Sequence, residues 1–140
     1  MKGRSVAVAV TASVLMASSS GCFMNSEKVP QKTAHITVGS MTRTSHAVSC
    51  SQVEWLLTAN ISAAPGSVKV VLKLDSEKPK TESVNIDNFE DFTGVADAGA
   101  GNATAVFSGN KYTITGEAQG SKRNDPHVSM TAPFRIEVGC

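Results

Sequence analysis

Val68-Lys69-Val70-Val71-Leu72-Lys73-Leu74 is the stretch that decides the fold. Val68, Val70, Leu72 and Leu74 fall on one side, and Lys69, Val71 and Lys73 on the other. A period of two belongs to an extended strand with one face buried, not to a helix. Pro65-Gly66 before it and the polar Asp75 to Pro79 stretch after it are turn signals, so the strand is bounded on both sides.

The same period recurs outward in both directions. Upstream, His35-Ile36-Thr37-Val38 is a short strand ended by Gly39-Ser40, and Ala47-Val48-Ser49-Cys50 is another. Trp55 to Ile61 puts Trp55, Leu57, Ala59 and Ile61 on one face. Downstream, Glu82 to Asp87 pairs Val84 with Ile86 on a face. Ala103 to Phe107 and Lys111 to Gly116 flank Ser108-Gly109-Asn110, a compact hairpin loop. Phe134 to Val138 closes the pattern, with Phe134, Ile136 and Val138 inward. About eight short strands at near-regular spacing predict an all-β fold, an antiparallel sandwich or partly closed barrel. Asn88 to Phe92 suits a short helical turn. Gly94 to Asn102, carrying Gly94, Gly99 and Gly101, reads as a flexible loop, with close approach to a ligand or neighbouring strand as the alternative.

The N-terminal segment has a different character. Lys2 and Arg4 precede an apolar run from Val6 to Met16 that is interrupted only by Thr11 and Ser13. The run is shorter than the roughly 20 residues that span a bilayer, but it suits the core of an export signal. Ala17, Ser18, Ser19, Ser20 and Gly21 then lead to Cys22, and Ser20-Gly21-Cys22 resembles the end of a bacterial lipobox. There the thiol receives a diacylglyceryl group and becomes the new N-terminus. Ser19 departs from the aliphatic residue preferred at its position. The expected organisation is a signal peptide over 1–21, an acylated N-terminus and flexible tether over 22–33, and a β-domain over 34–140. Two or more acyl chains at about 0.8 kcal/mol per buried methylene would hold such a domain at a membrane.

Composition narrows the function classes. At 41% hydrophobic and 18% charged the chain is globular, not disordered or collagenous. Its 13 Lys and Arg against 12 Asp and Glu include Lys2 and Arg4 of the signal, so the mature part is close to neutral. That balance offers no footprint for nucleic acid.

Of three cysteines, Cys22 is taken up by the lipid, leaving Cys50 and Cys140. An exported domain meets an oxidising compartment, so an even remainder invites one disulfide. It would close nearly the whole domain into a loop, worth about 4–5 kcal/mol in the chain-entropy model, and pin the last strand. Free thiols for metal or redox work are the rival, although no Cys-x-x-Cys is present.

Other chemistry is sparse. His35, His46 and His127 lie in separate segments without acids at ligand spacing, and they read as surface residues. Asp87, Glu90 and Asp91 could suggest a carboxylate pair or a calcium loop, but the ligand order is missing. They read instead as a polar turn between buried Phe89 and Phe92. No nucleophile elbow or phosphate loop stands in the right context, so no catalytic residue, metal or cofactor is expected. Trp55, Phe89, Phe92, Phe107, Tyr112 and Phe134 are the large aromatics of the domain. Core packing is their default role, and the alternative is an apolar pocket between the sheets that carries an envelope lipid.

Lys111-Tyr112-Thr113-Ile114-Thr115-Gly116-Glu117-Ala118 followed by Pro133-Phe134-Arg135-Ile136-Glu137-Val138-Gly139-Cys140 resembles the mycobacterial LpqH-type lipoprotein antigen family. The resemblance extends through Gly101-Asn102-Ala103 and Val48-Ser49-Cys50-Ser51, and Val29 to Lys32 with Asn88 to Gly94 look closest to its LppE branch. It implies a lipid-anchored β-domain on the extracytoplasmic face of the cell membrane. It also implies a surface antigen without enzymatic activity, whose acylated N-terminus engages the host receptor TLR2. Cys22 matches the family's acylated cysteine, and Cys50 and Cys140 its paired ones. One departure stands out: the short Phe23 to Thr33 segment replaces a long Ser/Thr-rich, sugar-bearing tether.

Overall fold

The computed structural model describes residues 31–140. The expected signal segment, the expected acyl acceptor Cys22 and the expected tether as far as residue 30 lie outside the described residues.

Ten strands follow one another: β1 (Thr33–Val38), β2 (Met41–Ser45), β3 (Ala47–Val53), β4 (Leu56–Ala63), β5 (Gly66–Lys73), β6 (Lys80–Phe89), β7 (Phe92–Asp97), β8 (Asn102–Ser108), β9 (Lys111–Lys122) and β10 (Asp125–Gly139). All pairings are antiparallel, in the order β2-β1-β10-β9-β7-β6-β5-β4-β3, with β8 beside β9. The sheet curls until its two ends meet, giving a nearly closed barrel of the expected all-β class. No helix among the described residues is long and apolar enough to cross a membrane.

The alternation in β5 fills the core as its spacing predicts. Val68, Val70 and Leu72 are buried, and they sit against Ile61, Ala59 and Leu57 of β4 and against Val84 and Ile86 of β6. Ile36 of β1, Ile114 of β9 and Ile136 and Val138 of β10 supply the opposite wall. Each such side chain taken out of water contributes about 1.5–3 kcal/mol.

The two strands beyond the expected eight are β2 and β7. In β2, only Ser45 is buried, so no apolar alternation announces it. In β7, Phe92 and Ala96 point inward around Gly94. The helical turn expected at Asn88 to Phe92 is instead a two-residue hairpin turn. Phe89 pairs with Phe92, while Glu90 and Asp91 both have positive φ, as a type I′ turn demands. Gly94 to Asn102 is no flexible loop either: it is the end of β7 and a short turn in which the Asp97 carboxylate accepts from the Gly99 and Ala100 amides at 2.7 and 3.1 Å. Gly94 and Gly101 serve close strand approach, and Gly99 sits in the turn. Gly94 lies opposite Gly120 of β9, where a Cβ would run into the Thr93 carbonyl oxygen.

One bent strand closes the barrel. Ser45 of β2 pairs with Ala34 of β1, yet Ala47 of β3, two residues on, pairs with Ser62 of β4. The chain thus changes partners at His46, as strands do when they turn a corner between sheets. Ser45 holds the corner, its hydroxyl donating to the Ser62 carbonyl and accepting from the Ala47 amide. A wedge opens on each side of it, between β3 and the β1–β10 edge at one end of the barrel and between β2 and β4 at the other.

Candidate functional site

Strand register defines the two ends. Val53 pairs with Leu56, Lys73 with Lys80, Ser108 with Lys111, and Lys111 in turn with Gly139. The Lys32 amide donates to the Gly139 carbonyl at 2.8 Å. All of these mark one end, where the chain enters the domain at Gln31; this is the entry end. The far end carries the Gly39-Ser40, Pro65-Gly66 and Glu90-Asp91 turns.

At the entry end Cys50 and Cys140 form a disulfide, with Cα atoms 5.8 Å apart. It ties β3 to the chain just past β10, across the wedge. Beside it lies a surface groove of about 460 Å³, lined by Gln31, Cys50, Gln52, Leu57, Phe107 and Tyr112 among others. Phe107 and Tyr112 are directly cross-strand and pack with ring centroids 4.7 Å apart, tilted by 43°. Partial burial pushes the Tyr112 hydroxyl above its ordinary pKa. Around the groove, large apolar side chains face water: Val53 is 73% exposed, Trp55 61%, Phe107 51% and Leu56 45%.

Two ion clusters mark the same end. Glu137 accepts from Arg135 at 2.7 and 3.1 Å and from Lys111 at 3.4 Å. The Arg135 hydrogen bonds, with help from Lys111, hold its carboxyl below the usual range. Asp75 is likewise lowered, chiefly by its hydrogen bond to Lys73.

The far end is built differently. Arg43 of β2 reaches over the wedge, donating to the Ala63 carbonyl at 3.2 Å and to Glu90 at 3.2 Å. Its guanidinium lies 4.6 Å from the centre of the Phe89 ring. A groove of about 300 Å³ there is lined by Val38, Met41, Phe89, Phe92, Lys122 and Met130 among others.

The six aromatics therefore do not converge on one pocket between the sheets. Phe89, Phe92 and Phe134 are buried in the core. Tyr112 and Phe107 line the entry-end groove, and Trp55 stands in the β3–β4 turn. Trp55 leaves the inward face of Leu57 because Glu54, at φ 53°, reverses the chain, so the alternation restarts only at Leu56. Two of the three acids Asp87, Glu90 and Asp91 are engaged: Thr93 donates to Asp87 at 3.4 Å and Glu90 pairs with Arg43, while Asp91 sits in the turn with its backbone carbonyl accepting from the Arg123 amide at 2.9 Å. His35 lies 3.0 Å from the Thr44 hydroxyl and His46 3.4 Å from that of Thr33, while His127 stands on β10. Among the described residues no three His, Cys, Asp or Glu side chains gather as metal ligands. Sequence reasoning missed Arg43, Val53 and Leu56 as site residues. A lone apolar residue on each side of a two-residue turn, as in Val53-Glu54-Trp55-Leu56, was the available signal for the last two.

Comparison with known proteins identifies the family. Residues 27–140 match the model of the Mycobacterium 19 kDa lipoprotein antigen. A Mycobacterium avium subsp. hominissuis protein, named in general terms as a lipoprotein, is 38% identical over 96% of this chain and 92% of its own length. "Probable lipoprotein LppE" of Mycobacterium tuberculosis is 31% identical with both chains covered completely. "Lipoprotein LpqH" of Mycobacterium avium is 33% identical over 69% of this chain and 60% of its own. The first two relatives run the length of the chain and the family model spans every strand of the barrel. The protein is thus a member of the mycobacterial 19 kDa lipoprotein antigen family, of the LpqH and LppE type.

Proposed function

We propose that this protein is a non-enzymatic display module, acylated at Cys22 and held on the extracytoplasmic face of the cell membrane, with its β-domain exposed at the cell surface. The observation that carries the reading is the convergence of the chain's entry at Gln31 with the Cys50–Cys140 disulfide on one end of a lipoprotein-family barrel. A domain hung from that end presents its far end outward. Its family is one of antigens, not of enzymes. Several carboxylates at its surface are engaged by cations, as Glu137 is by Arg135 and Lys111. The membrane is the first partner, through covalent acyl chains, and the acylated N-terminus is the element that would engage TLR2.

The test is Cys22→Ala in a mycobacterial host fed a palmitate analogue. Wild-type protein takes up the label and partitions into detergent, and the variant does neither. Label entering the variant, or a native mass that begins at Met1 without added lipid, overturns the anchor.

One observation favours a second reading, carriage of a hydrophobic envelope lipid. The entry-end groove has the volume of a small-ligand site and an apolar floor of Leu57, Phe107 and Tyr112. Native mass spectrometry of the purified protein decides it: a non-covalent lipid adduct lost in Leu57→Asn supports carriage, and a clean mass rejects it.

A further inference from the structure

We infer that the entry-end rim, Val53, Trp55 and Leu56 of the β3–β4 hairpin with Phe107 of the β8–β9 hairpin, seats against the lipid surface as a second, non-covalent contact. The inference rests on the acyl anchor at Cys22 proposed above. Gln52 and Leu57 of the first hairpin and Phe107 of the second line one groove together with Gln31, so the hairpins that carry the exposed apolar side chains lie beside the place where the chain enters. Residue 31 is nine positions from Cys22, a span of at most about 30 Å when fully extended. A domain on so short a leash keeps this end within reach of the bilayer, and the far end faces away.

The chemistry of the rim suits an interface rather than a core. Tryptophan is the residue enriched at the boundary between hydrocarbon and water, and Leu56, Val53 and Phe107 add apolar surface beside it. Lys32, Lys73, Lys78 and Lys80 stand at the same end with long stems that reach headgroup level, and Glu54, Asp75 and Glu77 offset them. With Lys111 and Arg135 against Glu137 at the same end, the rim carries a small positive excess, and its attraction to uncharged lipid is apolar and little affected by salt. Among the described residues the far end exposes Met41 at 37% and Val128 at 55%, neither of them aromatic, whereas the entry-end rim gathers a tryptophan and a phenylalanine. Weak affinity is sufficient, because a tether converts the second contact into an intramolecular one at high effective concentration.

Trp55 is the one tryptophan of the chain, so its fluorescence reports this contact directly. Acylated full-length protein is mixed with phosphatidylcholine vesicles, and emission and flotation are read together. The expected result is co-flotation with a blue shift of Trp55 and quenching by lipids brominated near the headgroup, unchanged in high salt. Leu56→Ser with Phe107→Ser is expected to float equally well, melt at the wild-type temperature and lose most of the shift. Protein that floats while Trp55 emits as in water overturns the rim contact and leaves the anchor standing. Protein that does not float overturns both. A blue shift that needs no vesicles and grows with protein concentration assigns the rim to a second copy of the chain and overturns the lipid contact.

Discussion

The bent β2–β3 strand leaves a wedge at each end of the barrel, and the two wedges are closed by different chemistry. At the entry end, a covalent bond from Cys50 to Cys140 spans the gap. At the far end, Arg43 spans it with a hydrogen bond to Ala63, an ion pair with Glu90 and a stack over Phe89. The disulfide acts mainly by limiting the unfolded chain, so it asks little of the side chains around it. Arg43 acts only through native contacts, which need a well-packed neighbourhood. The difference explains why the entry end can leave Val53, Trp55 and Leu56 in water while the far end buries Phe89 and Phe92. Covalent closure releases a surface for other uses.

The largest effect is expected from opening the entry wedge. Cys140→Ser, or reduction of the wild type, should cost roughly 2–5 kcal/mol and lower Tm by ten degrees or more. Equal melting under oxidising and reducing conditions would remove the basis of the comparison. Opening the far wedge should cost less. Arg43→Ala loses the cation–π contact and its hydrogen bonds, about 1–3 kcal/mol in urea denaturation. Arg43→Lys should recover only part of this, because an ammonium cannot reach Ala63 and Glu90 as a fork. A loss under about 0.5 kcal/mol would mean that the Ser45 corner closes the far end alone.

Acid gives a smaller, one-sided effect at the entry end. The folded Glu137 carboxyl is held below its unfolded pKa, first by Arg135 and then by Lys111. The stability it adds is present above the unfolded value near 4.5 and is lost as pH falls through the depressed folded one. With an exposed guanidinium as partner the gain is under about 1 kcal/mol. Stability measured between pH 6 and 3 should fall less steeply in Glu137→Gln, and identical slopes would reject the assignment. Least of all should come from Trp55→Ser, which is expected to change stability by within about 0.5 kcal/mol, since the indole rests on little of the core. A larger loss would show that the rim supports the fold.

Eight of the strands were legible because each alternates apolar and polar residues, as Val68 to Leu72 and Phe134 to Val138 do. Those that were not share a physical reason. Met41-Thr42-Arg43-Thr44-Ser45 buries no apolar side chain, because its inward face meets the corner through a serine hydroxyl. Phe92 to Asp97 hid behind its glycine, which allows β9 to approach and resembles loop composition. The Cys50–Cys140 pairing was accessible by counting, given one thiol assigned to lipid. The gathering of Gln31, Phe107 and Leu57 was not, because it depends on how far the sheet curls and no local pattern encodes that. Trp55 was misplaced onto the Leu57 face by one residue of turn, the smallest error that reverses a side chain in a strand.

The position of β1 has a mechanical consequence. It lies between β2 and β10, and its first residues are held to Gly139. A pull on the chain at residue 31 therefore runs along the strand axis and loads both flanking ladders in shear, with their hydrogen bonds strained together instead of being unzipped in turn. Drag on a barrel tethered through residue 31 would meet the sheet in its most resistant direction.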